Sequence, residues 1–210
     1  MTNPDEEVSD PHWQGPEIID LGKPYQHGRE MIFSVGVRYL TITWGNQRRF
    51  WKEFDNISDP FCGLGEAKLL VQVNWLEVTG KLSMGELKRH NGDSIKTYEI
   101  FYVVSFNEDA YGWHSAPVKF TVKPRVEPLP FIEVNLEEYR KKHGQWHEIS
   151  GGRFPVSGEK YVEFGMYEVE TAWWKGGMHL AGVIIKAVND DDQTAHTKRD
   201  QQGGYSCEKL

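Results

Sequence analysis

Apolar and polar side chains alternate along much of the chain between residues 39 and 188. In residues 97–106 the alternation places Tyr98, Ile100 and Tyr102 on one face. A period of two is typical of a β-strand with one buried face. The pattern therefore predicts roughly eight strands, which include residues 39–44, 68–82, 97–106, 116–122, 145–149, 160–170 and 179–188.

Helix signals are sparse by comparison. Residues 136–142 predict one short helix, because Glu137 and Glu138 precede Arg140 in the order that the helix dipole favours. Glycine and proline separate the predicted strands, and several strands carry apolar or aromatic side chains on both faces. Many short strands with little helix indicate an all-β fold, either an antiparallel sandwich or a barrel.

The two ends of the chain differ in composition from its middle. Residues 1–30 are polar and rich in proline, so we predict an N-terminal extension that packs locally through Trp13 or residues 18–19. Residues 189–210 are polar and predict a flexible tail. Residues 31–188 then form one domain, which a chain of 210 residues with 39% hydrophobic side chains can support.

Charge and cysteine usage narrow the class of protein. The chain has 24 basic and 31 acidic residues, which is the reverse of the basic balance of a general nucleic-acid binder. Apolar runs such as residues 69–73 are far shorter than the roughly 20 residues that span a membrane. The acidic N-terminus has no apolar segment of a secretory signal, and Cys62 and Cys207 are too few for a disulfide framework. We expect a soluble protein of a reducing compartment, without nucleic-acid or membrane partners.

Enzyme motifs are missing from the sequence. It contains no glycine-rich phosphate loop, no nucleophile elbow and no zinc-binding H-E-x-x-H segment, and its eight histidines are scattered. A pair of glutamates could hydrolyse a glycoside, although solvated carboxylates on strand faces are the simpler interpretation. We therefore predict no catalysis, no cofactor and no metal.

The chain is unusually rich in tryptophan, with eight residues, and this points to a class of binding site. An aromatic ring stacks on the C–H face of a sugar, while a carboxylate accepts hydrogen bonds from its hydroxyl and N–H groups. Trp44 ends a predicted strand and Trp51 follows seven residues later, so both lie near a loop. Either could instead pack in the core. Trp75 lies within a predicted strand and is expected in the core, whereas the position of Trp113 stays open.

A second tryptophan group follows the strand predicted for residues 160–170. Trp173 and Trp174 lie in the loop after this strand, and at least one of the two should be partly exposed. Glu163 and Glu168 lie on the strand itself. Each of these carboxylates could serve a sugar site or could simply be solvated.

Six groups of segments between residues 38 and 188 occur in an order that resembles a known family. They are residues 40–45 with 50–51, residues 67–70 with 73–81, residues 97–104, residues 111–113, residues 146–149, and residues 167–169 with 174–186. In this order they resemble the plant phloem protein 2 family, whose sugar-binding members are the tobacco-agglutinin-like (Nictaba-type) lectins.

The resemblance implies a jelly-roll-like β-sandwich with short helical or irregular loops. It also implies a lectin that binds N-acetylglucosamine oligomers (chitooligosaccharides) or the core of N-glycans. Trp44, Trp51 and Glu168 match positions implicated in sugar binding, and Glu163 matches more loosely. Trp174 is a candidate wall of the same site. The family further implies a cytoplasmic, nuclear or phloem-sap location, a homodimer, and phloem proteins as partners.

An alternative with the same fold stays open. Phe50 precedes Trp51 where the family usually has tyrosine, and residues 63–68 depart from the family pattern. A protein-interaction module that has lost sugar binding would fit these departures.

Overall fold

Two antiparallel sheets pack face to face and form a β-sandwich, which confirms the all-β fold predicted by the strand pattern and the sandwich implied by the resemblance. The computed structural model describes residues 10–27, 30–55, 57, 63–91, 97–124, 131–156, 158–188 and 208–209. Aromatic rings join the sheets, since the Tyr102 ring lies 5.0 Å from that of Phe120 and 6.3 Å from that of Phe164. The core therefore lies between the two sheets.

The larger sheet contains eight of the described strands. They are β1 (Tyr25–His27), β2 (Glu30–Gly36), β4 (Trp51–Asp55), β5 (Glu66–Leu70), β7 (Thr97–Tyr111), β10 (Trp146–Pro155), β12 (Gly176–Ala187) and β13 (Glu208–Lys209). Their order is β10-β7-β12-β2-β1-β13, with β5 joining β12 and β4 joining β5.

The strands of the smaller sheet are β3 (Thr41–Ile42), β6 (Leu76–Ser83), β8 (Val118–Pro124), β9 (Ile132–Val134) and β11 (Tyr161–Glu168). Their order is β3-β6-β11-β8-β9. The described helices are α1 (Met84–Asn91), α2 (Glu137–Arg140) and a 3-10 turn at Val37–Tyr39. Helix α2 confirms the short helix predicted from the charge order.

Strand β12 organises the larger sheet because it changes partner on one side. Met178 to Leu180 pair with β5, whereas Gly182 to Lys186 pair with β2. The change occurs at a bulge against β7, where Gly182 has a φ of 143°. A Cβ there would lie 2.1 Å from the carbonyl oxygen of Val35, so only glycine fits. The part of β12 before the bulge thus joins the β4–β5 hairpin to the larger sheet.

Two predicted strands are shorter in the structure. Residues 68–82 are not one strand, because the chain leaves the larger sheet after Leu70 and enters the smaller sheet at Leu76. Trp75 therefore lies at the connection, where it is 46% exposed, and its expected core position is wrong. Residues 39–44 form a strand only at Thr41–Ile42, and helix α1 was not predicted.

The described part of the N-terminal extension packs on the sandwich. Trp13 exchanges two backbone hydrogen bonds with Ile42, of 3.0 and 2.9 Å. Ile19 is buried and donates a backbone hydrogen bond of 2.7 Å to Lys81. Of the predicted flexible tail, residues 189–207 and 210 lie outside the described residues, whereas Glu208 and Lys209 pair with β1.

Candidate functional site

A groove of about 520 Å³ opens beside β3 and the start of β6, on the outer face of the smaller sheet. Glu77 points outward there because it alternates with the buried Leu76 and Val78. The groove is lined by His12, Gln14, Thr41, Thr43, Trp44, Trp75 and Glu77. We call it the aromatic groove.

Glu77 is the carboxylate of the aromatic groove. Its Oε2 accepts a 2.9 Å hydrogen bond from Nε1 of the exposed Trp75 and a 3.3 Å bond from Oγ1 of Thr43. Both side-chain bonds that reach Glu77 within the described part of the chain use this one oxygen. A carboxylate can accept further bonds at Oε1, so the groove combines an aromatic surface with a strong acceptor.

Trp44 is held from both sides. Its backbone N–H donates to Nδ1 of His12 at 3.0 Å, and the two rings lie 4.8 Å apart. The Phe50 ring lies 5.8 Å away. Trp44 also has a φ of 62°, in the left-handed region that non-glycine residues rarely adopt. Such backbone strain often accompanies function, and here it occurs at a half-buried indole that lines the groove.

A protonated phenol lies beside the carboxylate. Tyr167 on β11 is opposite Glu77 on β6. Burial, together with the nearby charges of Glu77 and Glu163, raises the pKa of Tyr167 and outweighs the lowering effect of its hydrogen bond with Thr121. The hydroxyl therefore keeps its proton at neutral pH.

Trp51 does not lie in the aromatic groove. It begins β4 and pairs with Leu70 in the larger sheet, and its ring packs in the sandwich core with an exposed fraction of 2%. Pairing within the sheet turns the ring inward, so it offers no exposed face in this structure, and the stacking of Trp51 on a sugar stays a prediction.

The carboxylate of Glu168 is likewise buried, and partners within the chain already bind it. It is 4% exposed, forms an ion pair with the buried Lys175 and accepts a 3.1 Å hydrogen bond from the backbone of Thr171. Lys175 also donates to the carbonyl oxygen of Trp173 at 3.0 Å. Direct contact with a sugar does not fit this burial. Glu168 instead fixes the loop that presents Trp173 and Trp174, both of which are exposed.

Glu163 shares the outer face of the smaller sheet but lies outside the groove. It is opposite Lys81 on β6, with Oε1 3.6 Å from the ammonium nitrogen. Four residues along β11, Tyr167 lies opposite Glu77, a spacing of about 13 Å at 3.3 Å per residue. Of the predicted residues, only Trp44 thus lines the groove.

Sequence reasoning missed Trp75 and Glu77. Their signal was the spacing of two residues at a strand start, which places both side chains on one face. A continuous strand over residues 68–82 instead assigns Trp75 to the apolar face with Val71 and Val73, which hides this signal.

Within residues 10–27, 30–55, 57, 63–91, 97–124, 131–156 and 158–188, no three histidine, cysteine, aspartate or glutamate side chains are grouped as metal ligands. No helix among the described residues has the length and apolar character to cross a membrane.

A family model described as Phloem protein 2 matches residues 30–187, from the first residue of β2 to the last of β12. This chain belongs to the phloem protein 2 family. It is 30% identical to Protein PHLOEM PROTEIN 2-LIKE A1 of Arabidopsis thaliana over 159 residues, which cover 73% of this chain and 61% of that one. Protein PHLOEM PROTEIN 2-LIKE A2 of the same plant is 34% identical over 128 residues, with coverage of 59% and 61%.

A protein named lectin from Luffa acutangula is also similar. It is 31% identical over 160 residues, which cover 73% of this chain and 69% of the lectin. The phloem protein 2 match spans about three fifths of the length of each of the two Arabidopsis relatives.

Proposed function

We propose that this phloem protein 2 chain is a non-catalytic lectin that binds N-acetylglucosamine oligomers in the aromatic groove. The observation that carries the proposal is the exposed Trp75, whose indole is hydrogen-bonded to the carboxylate of Glu77 beside Trp44. Similarity to the Luffa lectin supports the same class of function. A cytoplasmic or nuclear location belongs to the proposal through the family resemblance.

The groove supplies the two kinds of contact that an acetylated sugar needs. The indole of Trp75 offers a flat surface for the C–H face of the ring, and Trp44 offers the apolar wall. Glu77 accepts a hydrogen bond from the acetamide N–H or a ring hydroxyl, which a charged acceptor makes stronger. One stacked ring contributes on the order of 1 kcal/mol, by analogy with bases on aromatic side chains. Monovalent affinity is then weak, and a homodimer would gain through avidity.

The remaining predicted residues have other roles in this proposal. Trp174 provides a neighbouring wall, and Glu163 meets a distant unit of a longer oligomer along the outer face. Trp51 and Glu168 support the site from inside, as a core side chain and as the anchor of the loop that carries Trp174.

The test is a calorimetric and fluorescence titration of the purified chain with the N-acetylglucosamine trimer. Wild type should show saturable heat and a tryptophan signal. The variants Trp75→Ala and Glu77→Gln should each weaken binding by about tenfold or more, which corresponds to about 1.4 kcal/mol. Trp51→Phe, which keeps an aromatic ring in the core, should leave sugar affinity unchanged.

The matched control is Phe131→Ala. Phe131 is an exposed aromatic residue next to β9, three strands from β6 in the smaller sheet. Its loss should leave affinity unchanged. Equal binding by wild type, Trp75→Ala and Glu77→Gln would place the sugar elsewhere, and a flat wild-type titration would reject the lectin.

An exposed aromatic rim favours one second candidate, a protein-interaction module. Trp173, Trp174 and Tyr111 are all exposed. Their segments adjoin, because Tyr111 pairs with Gly176 in the sheet. Tryptophan and tyrosine are enriched in protein interfaces. Capture of a phloem protein that survives saturating trimer and Trp75→Ala but is lost in Trp173→Ala would favour this function.

A further inference from the structure

A second cavity, of about 450 Å³, lies beside the turn that follows β3. Its described lining residues are Gly45, Asn46, Arg48, Trp51, Lys52, Glu53 and Lys68. None of them lines the aromatic groove. We call this cavity the basic cavity, because three of its side chains are cationic and one, Glu53, is a carboxylate.

Lys68 places a buried ammonium group at the basic cavity. The residue is 4% exposed on β5. Its Nζ donates a 3.2 Å hydrogen bond to the carbonyl oxygen of Gly45, lies 3.8 Å from Oε1 of Glu53 and sits 4.2 Å from the centre of the Trp13 ring. An ammonium group has three donors, and these contacts use one at hydrogen-bond distance. Burial lowers the pKa of Lys68, with the Glu53 charge acting in the opposite direction.

Trp51 adds a buried donor that has no acceptor among the described residues. Its Nε1 is inaccessible and makes no hydrogen bond within the part of the chain that the structure describes. An indole N–H can only donate. A buried donor without a partner costs free energy and calls for an explanation such as a ligand. Trp51 lines the basic cavity, so an acceptor that enters beside its ring would satisfy this N–H, and the Lys68 ammonium group would attract an anionic one.

The outer part of the basic cavity is also cationic. Arg48 and Lys52 are exposed, and neither forms an ion pair with another described residue. This local excess of positive charge contrasts with the net charge of −7 for the whole chain. A phosphate group carries negative charge and more acceptor oxygens than donors, so it matches the cationic donors of this lining better than an uncharged sugar does.

We propose that the basic cavity binds a phosphate group, with Lys68 and the indole N–H of Trp51 as its buried donors and Arg48 and Lys52 at its mouth. Guanidinium and ammonium groups are the usual side-chain partners of phosphate. The phosphate arrives as the inorganic ion or on a small phosphomonoester. The negative charge of Glu53 repels the phosphate and therefore lowers its affinity.

The test follows the indole N–H of Trp51 by two-dimensional NMR of the full chain, with its signal assigned by its loss in Trp51→Phe. Inorganic phosphate should shift this signal saturably. Glucose 6-phosphate, with glucose as the uncharged control, tests the phosphomonoester. A response to either phosphate compound supports the site, and the comparison identifies its source.

Two substitutions should change the phosphate affinity in opposite directions. Lys68→Met keeps an unbranched side chain that is one atom shorter and should weaken binding by about tenfold or more, the effect of losing about 1.4 kcal/mol. Glu53→Gln alters an exposed side chain and should tighten binding. The control Lys23→Met removes an exposed charge outside the cavity lining and should leave affinity unchanged.

The opposite results would overturn the site. A shift that grows linearly with salt and is equal for phosphate and chloride is an ionic-strength effect. The same affinity in wild type, Lys68→Met and Glu53→Gln would also reject it. If Lys68→Met does not fold, a Glu53→Gln affinity equal to or weaker than that of wild type still contradicts the proposal.

Discussion

Glu168 and Lys175 form a buried ion pair across the loop that carries Trp173 and Trp174. Lys175 is 1% exposed, and its ammonium group also bonds to the carbonyl oxygen of Trp173. Lys175 further exchanges two backbone hydrogen bonds of 2.9 Å with Val73. One buried pair thus ties the exposed tryptophan loop to the segment that leads to Trp75.

The first prediction concerns this pair. Glu168→Gln leaves the Lys175 charge buried without a counter-charge, so the free energy of unfolding should fall by about 3–5 kcal/mol, the usual effect of breaking a buried pair. Urea unfolding followed by tryptophan fluorescence measures the loss. Glu163→Gln is the control, because it breaks the exposed pair with Lys81 and should cost less than about 1 kcal/mol. Similar losses in the two variants would contradict a structural role for Glu168.

The second prediction concerns the contact between Gly112 and the tryptophan loop. Gly112 has a φ of 83°, and a Cβ there would lie 2.1 Å from the carbonyl oxygen of Trp174. Gly112→Ala should therefore destabilise the chain through both backbone strain and a clash, by more than about 2 kcal/mol. Thermal or urea unfolding gives the value.

Gly144→Ala separates these two causes. Gly144 has a φ of 73° but open space around its Cβ position, so the change should cost only the strain of about 1–2 kcal/mol. Equal losses at the two glycines would show that contact with the tryptophan loop does not matter.

The alternation of apolar and polar residues predicted the all-β fold. Of the residues that line the aromatic groove, only Trp44 was among the predicted site residues. The alternation over residues 97–106 found the centre of β7 because Tyr98, Ile100 and Tyr102 all face the core. The pattern cannot show where a strand changes sheets, so the break between Leu70 and Leu76 was missed. The burial of Trp51 could not be predicted for a related reason: closeness to a loop in sequence does not fix which side of a sheet a ring faces.

The third prediction is a pH dependence from His179. Burial lowers the pKa of His179 from its usual 6.5, while Nε2 lies 2.9 Å from Oδ1 of Asn107 and the ring packs on Phe54. Below about pH 6.5, His179 therefore binds a proton more readily in the unfolded chain than in the folded chain. This contribution to stability is full above that pH and is lost as the pH falls through the lowered pKa.

The measurement compares urea unfolding at about pH 7.5 and about pH 5 for wild type and His179→Gln. The variant removes the titrating ring and retains a polar group near Asn107, while carboxylates and the other histidines titrate in both proteins. Wild type should lose more stability on acidification than the variant. An equal loss would show that His179 titrates normally in the folded chain.

The fourth prediction uses the left-handed backbone of Trp44. Trp44→Ala and Trp44→Gly both lose the ring contacts with His12 and Phe50, and both should lose trimer binding if the aromatic groove is the sugar site. Only glycine relieves the strain of the φ of 62°, so Trp44→Gly should be more stable than Trp44→Ala by about 1 kcal/mol.

Trp75 provides the matched comparison, because Trp44 is the single non-glycine residue with positive φ in the described part of the chain. At Trp75 the order should reverse, with the glycine variant less stable than the alanine variant by about 0.5–1 kcal/mol, since glycine loses more backbone entropy on folding. Urea unfolding of the four variants measures both differences. If glycine is the less stable replacement at Trp44 as well, the left-handed conformation does not store strain, and the fixed orientation of this indole depends on ring packing against His12 and Phe50 alone.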